Sequence, residues 1–236
     1  MFLVAAPFVV RIVAVVEGAT EQAFIERVVA PHLVSHGIGI SARRIGEPGH
    51  KGGNINFDRL MNDVNLLLKQ EHSTHVTTLI DRYGLGSGWP DRQTLNQIRD
   101  PNVALSLVCG VMSKEIVSRT DESIRKDRFH PYVQFYETEA FLFVEPRLTA
   151  EMLGQKDKWT LIASCLTEFD TPEHINDNAN QAPSKRIQQI LENYQKGRGL
   201  NAHLPNVCEK IGIAEVRKAC PLFDGWIHNL ESLPSL

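Results

Sequence analysis

The chain lacks several things that would place it quickly. Its four cysteines, Cys109, Cys165, Cys208 and Cys220, are far apart. They have no zinc-type spacing and read as reduced thiols of a cytoplasmic protein. Positive charge is not in excess: the formal net charge is -3, which excludes a generally basic nucleic-acid coat and leaves only local patches for such contacts. Long apolar runs are missing too. The N-terminal "MFLVAAPFVVRIVAVV" has no basic region before it and is broken by Arg11. It falls short of the roughly 20 residues of a membrane span. It reads as a short lead-in followed by a buried strand, with no membrane association. Internal repeats, low-complexity tracts and a Walker-type nucleotide loop are likewise absent.

What remains is an ordinary globular composition. The 236 residues are 42% hydrophobic and 22% charged, enough for one large domain or a core with an appendage. Val9 to Val16 is β-branched and almost continuously apolar, as in a strand covered on both faces. Thr20 is placed to cap the helix that follows, with Glu21 in its first turn. Phe24, Ile25, Val28, Val29 and Leu33 keep helical spacing, and Pro31 predicts a kink or break. "IGISARRI" reads as an edge strand. The "GEPGHKGG" segment is a loop. Phe57, Leu60, Met61, Val64, Leu67 and Leu68 form the cleanest helical stripe. "HVTTLI", from His75, is a strand ending at Asp81. A further helix is predicted over Val103 to Ser118, with Leu107, Val108, Val111 and Met112 inward. "YVQFY" is a strand ending at Glu137.

Strand and helix thus alternate over residues 1–145, which predicts an α/β fold with a mainly parallel sheet flanked by helices. After Pro146 the alternation stops, and residues 146–236 read as a helical extension packed on that core. Ile187, Ile190, Leu191 and Tyr194 mark one of its helices. Leu222, Phe223 and Trp226 read as its core.

The organising feature is a repeat of position. Glu17 ends the first strand, Asp81 the third, and Glu137 the fourth, with Glu139 two residues on. Ligand sites in open parallel sheets lie outside the carboxyl ends of the strands. Converging carboxylates need a proton or a cation between them. Oxygen-only ligands favour magnesium, or manganese, over zinc. The plainer reading is that each acid merely caps a nearby helix.

The segments "VVEGATE" and "TLIDRYG" resemble the Toprim domain shared by topoisomerases, bacterial primases and OLD-type nucleases. "EGATEQAFIERVVAPHL", "KGG", "PYVQFYETEAFLF", "EHINDNANQAPSKRI", "YQKGRG" and "CPLFDGWIHNLE" extend the likeness. In order and content they resemble a bacterial Toprim-like family of unknown function, number 4276. Two positions depart from the pattern. The Toprim Asp-x-Asp reads Asp81-Arg82-Tyr83, and the family's His-Glu-Phe-Glu reads Tyr136-Glu137-Thr138-Glu139. The resemblance implies a metal-dependent nuclease acting on DNA or RNA. Glu17, Asp81 and Glu137 would be catalytic, and the same three with Glu139 would hold magnesium. It also implies an anti-phage effector with an ATPase as its protein partner; the alternative is a non-catalytic binding or regulatory module. Oligomeric state is left open.

Other residues keep two readings. Lys51, before Gly52 and Gly53, is either a phosphate contact or part of a plain turn. Lys185 and Arg186, after Ser184, are either a nucleic-acid patch or ordinary cations on a helix that Ser184 caps. Gly18 admits a substrate phosphate. Arg125, Lys126, Arg128 and His130 read as a solvated turn, with His130 able to approach the acids. Tyr83 either bonds a phosphate or packs its ring under the loop.

Overall fold

Side chains of β1, Val10–Val16, alternate between two hydrophobic cores. Ile12, Ala14 and Val16 enter one; Val13 and Val15 enter the other. That follows from the two-residue period of a strand and gives the molecule its layers. The computed structural model describes residues 10–45, 55–120, 126–175, 179–194 and 203–235. The lead-in, the "GEPGHKGG" loop with Lys51, Arg125 and the "YQKGRG" segment beyond Tyr194 lie outside the described residues.

After β1 the chain forms α1, Ala19–Phe24, a π-helical turn, Ile25–Val29, and α2, Ala30–Val34. Pro31 has no N–H to bond back along the helix. The backbone widens into a π turn just before it rather than breaking. Then come β2, Ile38–Arg44, α3, Phe57–Gln70, β3, His75–Asp81, α4, Arg92–Gln97, and α5, Pro101–Arg119. Two short strands follow, β4, Phe129–His130, and β5, Val133–Gln134. The rest is helical: α6, Pro146–Met152, α7, Trp159–Ser164, α8, Pro183–Ile190, α9, His203–Ile211, α10, Ile213–Ala219, and α11, Pro221–Glu231.

Every named strand pair is parallel. The order is β2-β1-β3-β4, with β5 also paired to β3. The α/β reading holds, and β2 is the edge strand expected. The predicted stripe of α3 is buried at all six positions. α3 and α5 cover one face of the sheet; α1 and helices from the last third share the core on the other. No helix of the described residues is long and apolar enough to cross a membrane.

Four local expectations are corrected. Gly18, not Thr20, is the residue before the first helix, and Thr20 is buried in its first turn. The strand read as "YVQFY" pairs only at Val133 and Gln134, with β4 beside β3 just upstream. On α5 the buried positions are Ala104, Val108, Met112 and Ile116, while Leu107 and Val111 are half-buried. Arg128 belongs to no solvated turn: it is 1% exposed and donates to the carbonyls of Leu68, Glu71 and Thr74, closing the C-terminal end of α3.

Candidate active site

The parallel order puts the carboxyl ends of β1 and β3 side by side, since Val16 pairs with Leu79. β5 continues the row, with Asp81 opposite Gln134. Glu17 follows β1 at once, Asp81 closes β3, and Glu137 comes three residues after β5. The acids expected at one sheet edge are therefore on one sheet edge. Their burial is deep for carboxylates: Asp81 is 6% exposed, Glu137 7% and Glu139 1%. Glu17 is half-buried.

Each carboxylate has a definite seat. Glu17 Oε2 lies where a side chain at residue 84 would begin: a Cβ built on Gly84 would come within 2.5 Å of it. Asp81 Oδ1 accepts the backbone N–H of Thr138 at 2.9 Å. Glu137 Oε2 accepts the backbone N–H of Ser184 at 2.9 Å, at the first turn of α8. Glu139 Oε1 accepts the Tyr194 hydroxyl at 2.9 Å. Gly18 adds a second tight point, because a Cβ there would stand 3.1 Å from Glu21 Oε2. Its missing side chain makes room for a carboxylate of its own helix.

Tyr194 ties the acids together electrostatically. Burial pushes its hydroxyl pKa far upward. The charge of Glu139 and its hydrogen bond push the same way, followed by the charges of Glu137 and Asp81. Of these three carboxylates, Glu139 is the one the hydroxyl is hydrogen-bonded to; Glu137 and Asp81 act on it through charge. The acids are nevertheless not drawn up on a single centre. Among the described residues, the group of His, Cys, Asp or Glu ligand atoms all within 4.8 Å of one another is elsewhere, at His32, His36 and Glu231. To share an ion, Glu17, Asp81 and Glu137 have to turn inward, Asp81 and Glu137 from the N–H groups of Thr138 and Ser184. The donor set still suits a hard divalent cation: it is oxygen only, and three of its four carboxylates are buried.

The cations and aromatics sort differently. Arg186 lies on α8, its Nε donating to the Gln181 carbonyl and its guanidinium 5.3 Å from the Phe169 ring centroid. It lines a cavity of about 310 Å³ with Lys158, Ser164, Cys165, Gln181 and Gln189. Lys185 is exposed. Ser184 does not cap α8, whose preceding residue is Ala182; its backbone serves Glu137 instead. Tyr83 packs toward Tyr136, ring centroids 5.5 Å apart. His130 does not approach the acids. It meets His75 Nδ1 at 2.9 Å, and His75 opens β3 while Asp81 ends it, about 20 Å away at strand rise.

Gly84, Tyr194 as a partner of acids, and the N–H groups of Thr138 and Ser184 were not assigned from the sequence. Gly84 had a signal, as the last residue of "TLIDRYG". Backbone donors and the long reach from Tyr194 to Glu139 leave none.

Residues 16–231 match the family described as "Domain of unknown function (DUF4276)", and the chain belongs to it. Neither the curated proteins nor the solved structures gave a match.

Proposed function

We propose that this DUF4276 chain is a magnesium-dependent, Toprim-type nuclease that hydrolyses phosphodiester bonds of DNA or RNA. The observation that carries the reading is the placement of Glu17, Asp81 and Glu137 at the carboxyl ends of adjoining parallel strands, with Glu139 two residues beyond Glu137 and hydrogen-bonded to Tyr194. Glu17, Asp81, Glu137 and Glu139 would hold one or two Mg²⁺, or Mn²⁺. The ion, when bound, supplies Lewis-acid polarisation of a phosphate and a more acidic water. The protein's part is to aim the carboxylates and admit the substrate. Gly18 and Gly84, without side chains, leave room for the Glu21 and Glu17 carboxylates at the end of β1; Gly18 would admit a phosphate, and Lys51, Lys185 and Arg186 would orient its oxygens. The substrate class comes from the Toprim resemblance. So does the setting, a cytoplasmic anti-phage effector partnered by an ATPase.

A second reading has its own observation. Asp81, Glu137 and Glu139 already accept bonds from protein donors, which suits a non-catalytic Toprim-like module that binds a partner or nucleic acid. Incubating the protein and its genomic partner with plasmid DNA and with total tRNA, in Mg²⁺ and in Mn²⁺, separates the two. The nuclease reading expects cleavage that falls at least about 100-fold in Glu17→Gln and in Asp81→Asn, as ligand loss should, with the fold retained by circular dichroism. Full activity in both variants removes the assigned site, and no cleavage by wild type under any of these conditions leaves the binding module.

A further inference from the structure

The edge strand of the sheet ends in two arginines, and it ends beside the acids. β2 pairs with β1 in parallel register, and Arg43 and Arg44 stand opposite Val15 and Val16. The Ile45 N–H donates to the Val16 carbonyl at 2.9 Å, so the pairing is held one step past the strand. Glu17 is the next residue after β1. The carboxyl edge of the sheet therefore carries Arg44, Glu17, Asp81 and, three residues beyond β5, Glu137. α8 closes the row: the Ser184 N–H holds Glu137 Oε2 at 2.9 Å, and Lys185 and Arg186 follow on the same helix. Cations stand at both ends of one row of acids.

Both strand-end arginines are exposed, and no ion pair holds either one among the described residues. Successive side chains of a strand leave by opposite faces. Arg44 shares the face of Ala42, which packs on the core under α1; Arg43 shares the face of Val15, which packs under α3. The two guanidiniums so straddle the end of β2. Other arginines of the chain serve the fold: Arg217 is paired with Asp224 and Glu231, and Arg128 closes α3. Arg43 and Arg44 instead add their charge to the surface, where two neighbouring cations without an acid beside them raise the local positive potential.

We propose that Arg43 and Arg44 bind the phosphate backbone of a nucleic-acid strand laid across the carboxyl edge of the sheet, from β2 over the acids to α8. The class of ligand rests on the nuclease reading; the placement of the cations rests on strand register. Carboxylates repel a phosphate, so the strand has to be held from the two sides of the acidic row. A planar guanidinium does this with paired hydrogen bonds to phosphate oxygens. The path from β2 through β1 and β3 to β5 is three strand spacings, about 14 Å. That is roughly four steps at 3.4 Å per nucleotide of a duplex strand. Phosphates on Arg44 and on α8 thus lie several nucleotides apart, with the acids facing the backbone between them. Contacts of this kind position the strand without reading its bases.

Fluorescence anisotropy of labelled single-stranded DNA, duplex DNA and an RNA hairpin, with Ca²⁺ in place of Mg²⁺, reads binding by the full chain across a salt series. Wild type is compared with Arg43→Ala combined with Arg44→Ala, and with Arg11→Ala. Arg11 is also exposed, but it stands opposite Gly39 at the amino end of the same strand pair, about 20 Å from Glu17 at strand rise. All three side chains are on the surface, and circular dichroism checks that the variants keep the fold. In the double variant the slope of log affinity against log salt should shrink by about 0.7 per arginine on a single strand, or about 0.9 on a duplex. Arg11→Ala should keep the wild-type slope. An unchanged slope in the double variant, an equal drop in Arg11→Ala, or no binding by wild type overturns the proposal. Cleavage in Mg²⁺ with the genomic partner is scored separately. A wild type that binds with the expected slopes yet cuts nothing removes the nuclease reading and keeps the binding track.

Discussion

Glycine at residue 84 is where the candidate active site meets a steric limit. A Cβ there would fall 2.5 Å from Glu17 Oε2 and 3.3 Å from its Cδ. The obstacle is the free end of a flexible side chain, so the fold can give way by swinging the carboxylate aside. Gly84→Ala should therefore change stability by less than about 1 kcal/mol yet misplace Glu17. A displacement of that order costs about 100-fold in a positioned reaction. Under the proposed nuclease reading, parallel measurement of cleavage rate and urea midpoint checks this; equal loss of both would mean Gly84 serves the fold alone. Tyr194→Phe is the complementary case. It removes the hydroxyl that Glu139 accepts at 2.9 Å from deep in the core. Loss of a donor to a buried charge should destabilise by about 1–3 kcal/mol, read as a lower urea midpoint. Both residues explain what a sequence can hold. Glu17 and Asp81 were legible because strand periodicity ran straight into them. The tie from Tyr194 to Glu139 spans 55 residues, and no local pattern encodes it.

Elements with a strong period were legible, and those without one were not. α3 has polar residues opposite its stripe, so its phase could be read directly. α5 is apolar on both sides: Ala104, Val108, Met112 and Ile116 face inward, while Val103 and Val117 are about half exposed. Nothing in its composition fixed which stripe turned inward. The fourth strand was misread for a different reason. Its apolar length promised a ladder, but the chain pairs with β3 in two short pieces, each fixed by hydroxyl bonds from Thr77 and Thr78 to the carbonyls of His130 and Tyr132. α11 shows a third case. Its start carries no capping side chain of its own. The N–H groups of Leu222 and Phe223 donate instead to Glu173, at 2.8 and 3.0 Å. The carboxylate is fully buried and sits 49 residues away in sequence. Glu173→Ala should destabilise the protein by about 2–4 kcal/mol, combining a lost cap with buried donors left unmade. Chemical denaturation checks it, and a value near zero would mean the helix start finds other acceptors.

At the scale of the molecule, one buried and one half-buried group push the pH response in opposite directions. Burial raises Glu173 from 4.5 to about 7, against the pull of its hydrogen bonds. Burial, with the neighbouring His75, lowers His130 from 6.5 to about 4. Between 4.5 and about 7 the folded chain holds a proton on Glu173 that the unfolded chain has released, so this group's stability is present below 4.5 and lost as pH rises. Between about 4 and 6.5 the unfolded chain takes up a proton on His130 that the fold refuses, so this group's stability is present above 6.5 and lost as pH falls. The Glu173 shift corresponds to about 3 kcal/mol, and that of half-buried His130 to less, since solvent screens it. Where the two windows overlap, their slopes oppose. Glu173→Gln should expose the rise in stability with pH to which His130 contributes. His130→Gln, which can still bond His75, should expose the fall that Glu173 imposes. Urea midpoints taken at half-unit intervals from about pH 4 to 7.5 read both slopes. If the variants keep the wild-type slope, the titrating groups are elsewhere. If they diverge in opposite directions, two polar clusters fix the acid and neutral limits of one fold: one under α11, the other at the amino end of β3.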